Sequence, residues 1–323
     1  MTSSGHVPYR IRQFEPSDLE YAAAANLVSS VWPEYPITAD DLKRGDEFHR
    51  PDLLLRRLVA EADGKMVGVC VFRESEGSYR PGKFIVSLCV CNDYRRQGIG
   101  AALYDHMIED LSARELTILR TETLEHHDAA LRFLERRGFE RVMRHPVSRL
   151  DVTKFNPDPL AAKRNGAADR GIVVKSLAVL REIDDEWQRK CWDLSWAIDQ
   201  DIPKTDRLTR QTLERFCEIF DDPNFAPEGW FVALDGKRWV GLHTIWADES
   251  TPLKYYTDVT GVLRDYRRRG IATVLKLYGV EFVCLCGGQI IETDNEENNP
   301  MLALNLKLGF EPAPAWIDLN RTF

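Results

Sequence analysis

Leu88-Cys89-Val90-Cys91-Asn92-Asp93-Tyr94-Arg95-Arg96-Gln97-Gly98-Ile99-Gly100-Ala101 is the stretch whose reading decides the fold. An apolar, β-prone run from Phe84 to Val90 leads into it, and the helical spacing Leu103, Tyr104, Met107, Ile108, Leu111 follows. The order is strand, basic turn, helix. Gly98 and Gly100 carry no Cβ, so the backbone can turn sharply and bring successive N–H groups close to a ligand at the positive end of the helix. A pyrophosphate suits such a cradle. Arg95 and Arg96 would add charge-assisted bonds to it, although two loop arginines can also be plain solvated side chains.

The chain contains this stretch twice. Thr260-Gly261-Val262-Leu263-Arg264-Asp265-Tyr266-Arg267-Arg268-Arg269-Gly270-Ile271-Ala272 repeats it, with Gly270 standing 172 residues after Gly98. Asp63-Gly64-Lys65 and Asp235-Gly236-Lys237, each between two β-prone runs, are also 172 residues apart, and Gly138-Phe139 and Gly309-Phe310 are 171 apart. Three landmarks in one order at one spacing mark a duplicated domain.

An Arg-x-x-Gly-x-Gly/Ala loop after a Leu/Thr-x-Val strand, with a later Gly-Phe, resembles the GNAT superfamily of acyl-CoA-dependent N-acetyltransferases, and the likeness covers both halves. The two-lobed layout resembles the mycothiol synthase-like tandem acetyltransferases in architecture. The fold expected from the resemblance is α/β (α+β): two tandem GNAT domains, each a bent mixed β-sheet flanked by helices and splayed where the cofactor enters. The domains would span residues 1–150 and 171–323, with a linker over 151–170 that holds Asn156-Pro157-Asp158-Pro159 and Lys163-Arg164-Asn165-Gly166.

Length and charge agree with this. A chain of 323 residues can bury two cores, and a formal charge of −8 argues against nucleic acid, whose binding needs a basic face. A small cationic amine is a better match. The 7 cysteines are scattered, and the pairs Cys89/Cys91 and Cys284/Cys286 lack the spacing of a zinc knuckle, so they read as small fillers of a reduced, cytoplasmic protein. No apolar run is long enough to span a membrane, and the start, Met1 to His6, lacks a signal-peptide core. Whether the protein is a monomer or a homodimer stays open.

In chain order, Tyr9–Phe14 reads as a strand, a helix starts after Glu15-Pro16-Ser17-Asp18, and residues 32–57 read as irregular. A hairpin turns at Asp63-Gly64. The core loop follows, then a strand near 116–121, a helix from about Asp128 to Arg137 and a last strand after Phe139. The second half repeats the plan, with helices through Trp187–Ile198 and Gln211–Phe220 and a hairpin over Trp230–Trp246. Its longer insert carries Trp187, Trp192, Trp196, Asp199, Asp201 and Asp206, which suits either core packing or an aromatic, acidic pocket for an amine.

Acyl transfer from a thioester to an amine requires a held thioester, a proton acceptor for the incoming ammonium and a donor for the departing thiolate. The resemblance implies acetyl-CoA or another acyl-CoA, its pantetheine lying along Leu88 and Val90 or along Thr260 and Val262. It implies the pyrophosphate on the loops Arg95, Arg96, Gln97, Gly98, Ile99, Gly100, Ala101 and Arg267, Arg268, Arg269, Gly270, Ile271, Ala272. The family's later helix carries an asparagine that contacts the cofactor and, seven residues on, a tyrosine acid. Asn298, Met301 and Asn305 fall on that frame in the second half, and His127, Ala130 and Leu134 in the first. The tyrosine is missing from both, and Asn305 can hydrogen-bond where Leu134 cannot.

The family's glutamate base is absent too: Phe84 and Tyr256 hold its place. Asp258 lies two residues further along the strand, on the same face as Tyr256 by alternation. The catalytic candidates are therefore Asp258, Tyr256 and Asn305, all in the second half, and the reading is an N-acetyltransferase acting on a primary amine of a small metabolite. Catalysis in the first half, or a non-catalytic acyl-CoA-binding scaffold, are the alternatives. No Gly-x-Ser-x-Gly elbow, Walker loop or His-Glu-x-x-His occurs, and His126-His127, adjacent and so expected to point apart, reads as surface. No metal is expected.

Overall fold

In the computed structural model of the chain, which describes residues 7–157 and 166–323, both hairpins turn at their Asp-Gly pairs. Asp63 and Gly64 sit at φ 51° and 71°, the left-handed pair that a two-residue turn requires, and Gly236 sits at φ 57°. Of the expected linker, residues 158–165 with Pro159 and Lys163-Arg164-Asn165 lie outside the described residues, as do Met1 to His6.

The chain forms two compact units. The first comprises the residues up to Val142 together with Ile317–Phe323, the second Met143–Trp316. These limits differ from the halves drawn on sequence. The last strand of each half, β6 (Glu140–Asp151) in the first and β12 (Glu311–Thr322) in the second, crosses the boundary between units.

The first unit is a mixed sheet in the order β1 (Tyr9–Gln13), β2 (Leu55–Ala62), β3 (Lys65–Arg73), β4 (Lys83–Val90), β5 (Ile118–Leu124), followed by the end of β12. β1 with β2, β2 with β3 and β3 with β4 run antiparallel, and β4 with β5 runs parallel. Helix α1 (Asp18–Val31) packs Leu27 on Val69 and Cys89 of one face. On the other, α3 (Ile99–Ser112) buries Ile99, Leu103, Met107 and Leu111 against Phe72, Phe84 and Val86, with Leu131 of α4 (Asp128–Glu135) and Ile317 and Leu319 of β12 in the same cluster. Asp318 accepts from Arg120 at 2.5 Å and the Tyr104 hydroxyl from Arg321 at 2.6 Å. Residues 32–57 are not irregular throughout: they hold α2 (Ala39–Glu47), started by a capping box in which Thr38 and Asp41 exchange side-chain-to-backbone bonds.

The second unit orders its strands β6, β11 (Ile290–Asp294), β10 (Lys254–Val262), β9 (Arg238–Ala247), β8 (Trp230–Asp235), β7 (Ile172–Ser176). Val147–Asp151 of β6 run antiparallel to β11. One face carries α5 (Leu177–Ile183) and α6 (Trp187–Asp199) over Trp230, Val232, Leu242 and Trp246, while α7 (Leu213–Cys217) continues into a 3-10 turn at Glu218–Asp221. The opposite face carries α8 (Ile271–Leu285), whose Ile271, Val274 and Leu275 pack on Val240 and Val262, and α9 (Pro300–Lys307) follows β11. Trp187 stacks into an aromatic cluster through Phe220, whereas Trp192 and Trp196 stay half-buried beneath the Arg210 guanidinium.

Candidate active site

Each unit has a fork in its sheet. In the first, β4 and β5 pair in parallel only from Lys83–Ile85 against Ile118–Arg120; beyond Ile85, β4 stays with β3 up to Val90 and parts from β5. In the second, the pairing of β10 with β11 covers only Lys254–Tyr256 against Ile290–Glu292. Backbone groups on the facing edges beyond each fork are left without a ladder partner, which suits an extended ligand that pairs with a strand.

The first fork opens into a cavity of about 850 Å³. Leu88, Val90, Arg95, Arg96, Gly98, Gly100 and Ala101, all expected to hold the cofactor, line it, and so do His127, Ala130 and Leu134 of the later helix. Two expected residues turn elsewhere. Ile99 is buried in the core, and Gln97 accepts from the Val7 amide and donates to the Asp93 carbonyl.

Both basic loops share one conformation. Arg96 (φ 64°) and Gly98 (φ 86°) are left-handed around Gln97, and Arg268 (φ 60°) and Gly270 (φ 80°) are left-handed around Arg269. A non-glycine residue pays roughly 1–2 kcal/mol to sit there, and its presence at the same place twice marks a backbone shape that both halves hold. Alternating hands turn successive N–H groups into one concavity, and the first amides of α3 and α8 add the unpaired donors of a helix start. Arg95 Nε donates to the Val90 carbonyl at 3.0 Å and Arg267 Nε to the Val262 carbonyl at 3.0 Å, so the first arginine of each loop braces the strand end through its Nε. In the second loop Asp201 also binds Arg264 and Arg267, which hold its carboxyl below the usual range.

The polar chemistry lies at the second fork. Between Thr257 and Thr260 the register of β10 slips against β9, a bulge whose free Val259 amide donates to Thr244 Oγ1 at 3.0 Å. Tyr256 precedes the slip and Asp258 lies within it, and both are exposed. Although solvent reaches Asp258, protein crowds its carboxylate. Desolvation, and after it the like charge of Asp199 at the end of α6, pushes Asp258 up to about 6, with Lys204 opposing and Asp294 adding. Asp199 is itself raised by burial, against Lys204 Nζ 3.5 Å away. Beyond the bulge, Thr260 Oγ1 lies 2.8 Å from Nδ1 of the buried His243, whose ring is kept neutral by burial and by Lys276. The resemblance implied a cofactor strand at Thr260 and Val262; Val262 is buried.

Asn305 and Asn298 are differently placed from that expectation. Asn305 is fully buried and donates to Asn295 Oδ1 at 2.7 Å, while its own Oδ1 has no hydrogen-bond partner among the described residues. Asn298 is exposed and donates to Glu296 at 2.8 Å, and Asn299 is the residue that caps α9. Sequence reasoning passed over Lys276, a buried lysine inside the apolar run Val274-Leu275-Lys276-Leu277. Its Nζ finds no hydrogen-bond acceptor among the described residues and lies 5.5 Å from the Phe310 ring centre, and burial lowers it to about 7. His126 and His127 do not point apart: with Glu34 their donor atoms gather within 4.8 Å.

Residues 21–139 and 185–310 each match the family described as the acetyltransferase (GNAT) family. The chain belongs to the GNAT acetyltransferases. It is similar to the mycothiol acetyltransferase of Thermobifida fusca (strain YX), 28% identical over 265 residues that cover 77% of this chain and 76% of that one. The mycothiol acetyltransferase of Geodermatophilus obscurus is 26% identical over 262 residues, 78% of each chain. Among solved structures, a tandem GNAT protein from the clavulanic acid biosynthesis pathway superposes with a TM-score of 0.74 at 20% identity, covering 98% of both chains, a likeness of fold. Two GNAT folds in one chain, each forked beside a left-handed basic loop, account for the repeat. No helix among the described residues is long and apolar enough to cross a membrane.

Proposed function

We propose that this GNAT protein transfers an acetyl group from acetyl-CoA to a primary amine of a small metabolite, with proton transfer in the second unit. The observation that carries the assignment is the position of Asp258 on β10, just past the point where β10 parts from β11, with desolvation and then Asp199 pushing its carboxyl up to about 6. A base with that affinity is ionised at neutral pH and still able to accept a proton from an ammonium group. Its positions in the first half are Phe84 and Val86, apolar counterparts of Tyr256 and Asp258 that have no proton to exchange.

Acetyl-CoA, when bound, supplies an acyl group activated as a thioester. The residues that would hold it are the left-handed loops with their helix-start amides, and the fork edges of β4 and β10. The loops fit a diphosphate in kind, because they offer main-chain donors and basic side chains, although in the second loop Arg267 is shared with the Asp201 carboxylate. Asp258 would take the proton of the incoming ammonium, with Asp199 and Asp294 drawing a cation toward it and Tyr256 on the same strand face. Relatives named for mycothiol, rather than for a protein, support a small-molecule acceptor.

The cavity of about 850 Å³ at the first fork supports a second, cofactor-holding role for the first unit. Unpaired cysteines throughout support a reducing, cytoplasmic setting. Thiol release from acetyl-CoA over a panel of amines tests the reading. Turnover that disappears in Asp258→Asn supports it; tight coenzyme binding with no turnover on any amine makes the protein a binding module instead.

A further inference from the structure

Glu34, His126 and His127 come from two separate segments of the first unit, the turn after α1 and the start of α4, and all three line the cavity at the first fork. One ligand atom from each lies within 4.8 Å of the others, and His126 Nε2 stands 3.5 Å from Glu34 Oε1. Tetrahedral zinc with bonds of about 2.1 Å sets its ligand atoms about 3.4 Å apart, so one edge is already at length. The remaining closure falls to Glu34 and His126, which are exposed and can rotate.

The third ligand is held. The His127 ring stacks on Trp32 with centroids 4.7 Å apart, and His126 meets it edge-on at 4.6 Å. Helix capping does not explain the pair. His127 occupies the N-cap of α4, yet its side chain makes no capping hydrogen bond, and the same frame in the second half reads Glu297-Asn298.

We propose that Glu34, His126 and His127 form a binding site for a divalent transition ion of the zinc class at the mouth of the first cavity. Two imidazoles and one carboxylate form a borderline donor set that suits zinc, nickel or copper and not magnesium or calcium, which take oxygen. Three protein ligands leave at least one position for a donor atom of whatever occupies the cavity.

The full chain, free of any affinity tag, is titrated with zinc chloride by calorimetry, and cobalt(II) is used as a spectroscopic probe. One equivalent of zinc is expected, with cobalt bands free of thiolate charge transfer. His126→Ala with His127→Asn should weaken zinc at least a hundredfold and Glu34→Gln at least tenfold, circular dichroism and melting confirming that each variant is folded. His127→Asn keeps a good helix cap. Absence of stoichiometric zinc, unchanged binding in the double variant, or thiolate bands that assign the ion to Cys284 and Cys286 would each overturn the site.

Discussion

A β-carbon added to Gly261 would stand 2.1 Å from Cγ2 of Ile198, so helix α6 lies directly on strand β10. Ile198 precedes Asp199, and Gly261 lies three residues after Asp258, so the same contact sets how near the two carboxylates come. Gly261→Ala is expected to cost about 1–3 kcal/mol through overpacking and to lower the pKa of Asp258 as Asp199 is displaced. Thermal melting and the acid limb of the rate profile measure the two effects separately.

On the proposed role of Asp258 as base, the sign follows from desolvation of its carboxyl by the surrounding protein and from the like charge of Asp199. The group must be ionised to accept a proton, so turnover should rise with pH through about 6 and then level off. Asp258→Asn should remove that limb and slow the reaction by about 10²–10⁴-fold, most at pH values where the amine is protonated. A variant with the original limb intact would assign the titration to another group.

The proposal that both loops hold the coenzyme predicts a stoichiometry. Gly98 and Gly270 are left-handed at φ 86° and 80°, and an aspartate at either place adds both backbone strain and a charge that repels phosphate. Titration with coenzyme A should yield two sites per chain in the parent, and one in either Gly98→Asp or Gly270→Asp. Only Gly270→Asp should abolish turnover.

Lys276 predicts a stability effect with its own pH window. Burial lowers the ammonium from 10.5 to about 7, so between those values the unfolded chain binds the additional proton and stability rises with pH. Below pH 7 the full cost, of order 5 kcal/mol, applies. Lys276→Met should therefore raise the denaturation midpoint of the second unit at neutral and lower pH and flatten its rise toward pH 10. Equal midpoints for the two proteins at pH 7 would show that Lys276 is hydrated or paired in solution.

Much of the fold was legible because it rests on local chemistry. The Asp-Gly turns, the glycine-arginine loops and the helices after them follow from backbone freedom and apolar period, and duplication made each visible twice. Thr38-x-x-Asp41 was an available capping signal for α2 and was passed over in a proline-rich, charged segment. The bulge at Val259 had no comparable sign, since it depends on a hydroxyl on the neighbouring strand, Thr244. Likewise the burial of Lys276 and Asn305, and the convergence of Glu34 with two adjacent histidines, are set by elements distant in sequence. That Asp258 shares a strand face with Tyr256 was legible from alternation alone, and both are exposed on β10.

The placement of Ile317 and Leu319 in the first core bears on the order in which the molecule assembles. During synthesis Met143–Trp316 of the second unit leave the ribosome before Ile317 and Leu319, so the first core receives those side chains only after the second unit has emerged. Refolding of the first unit should therefore be slowed by whatever delays the arrival of that segment.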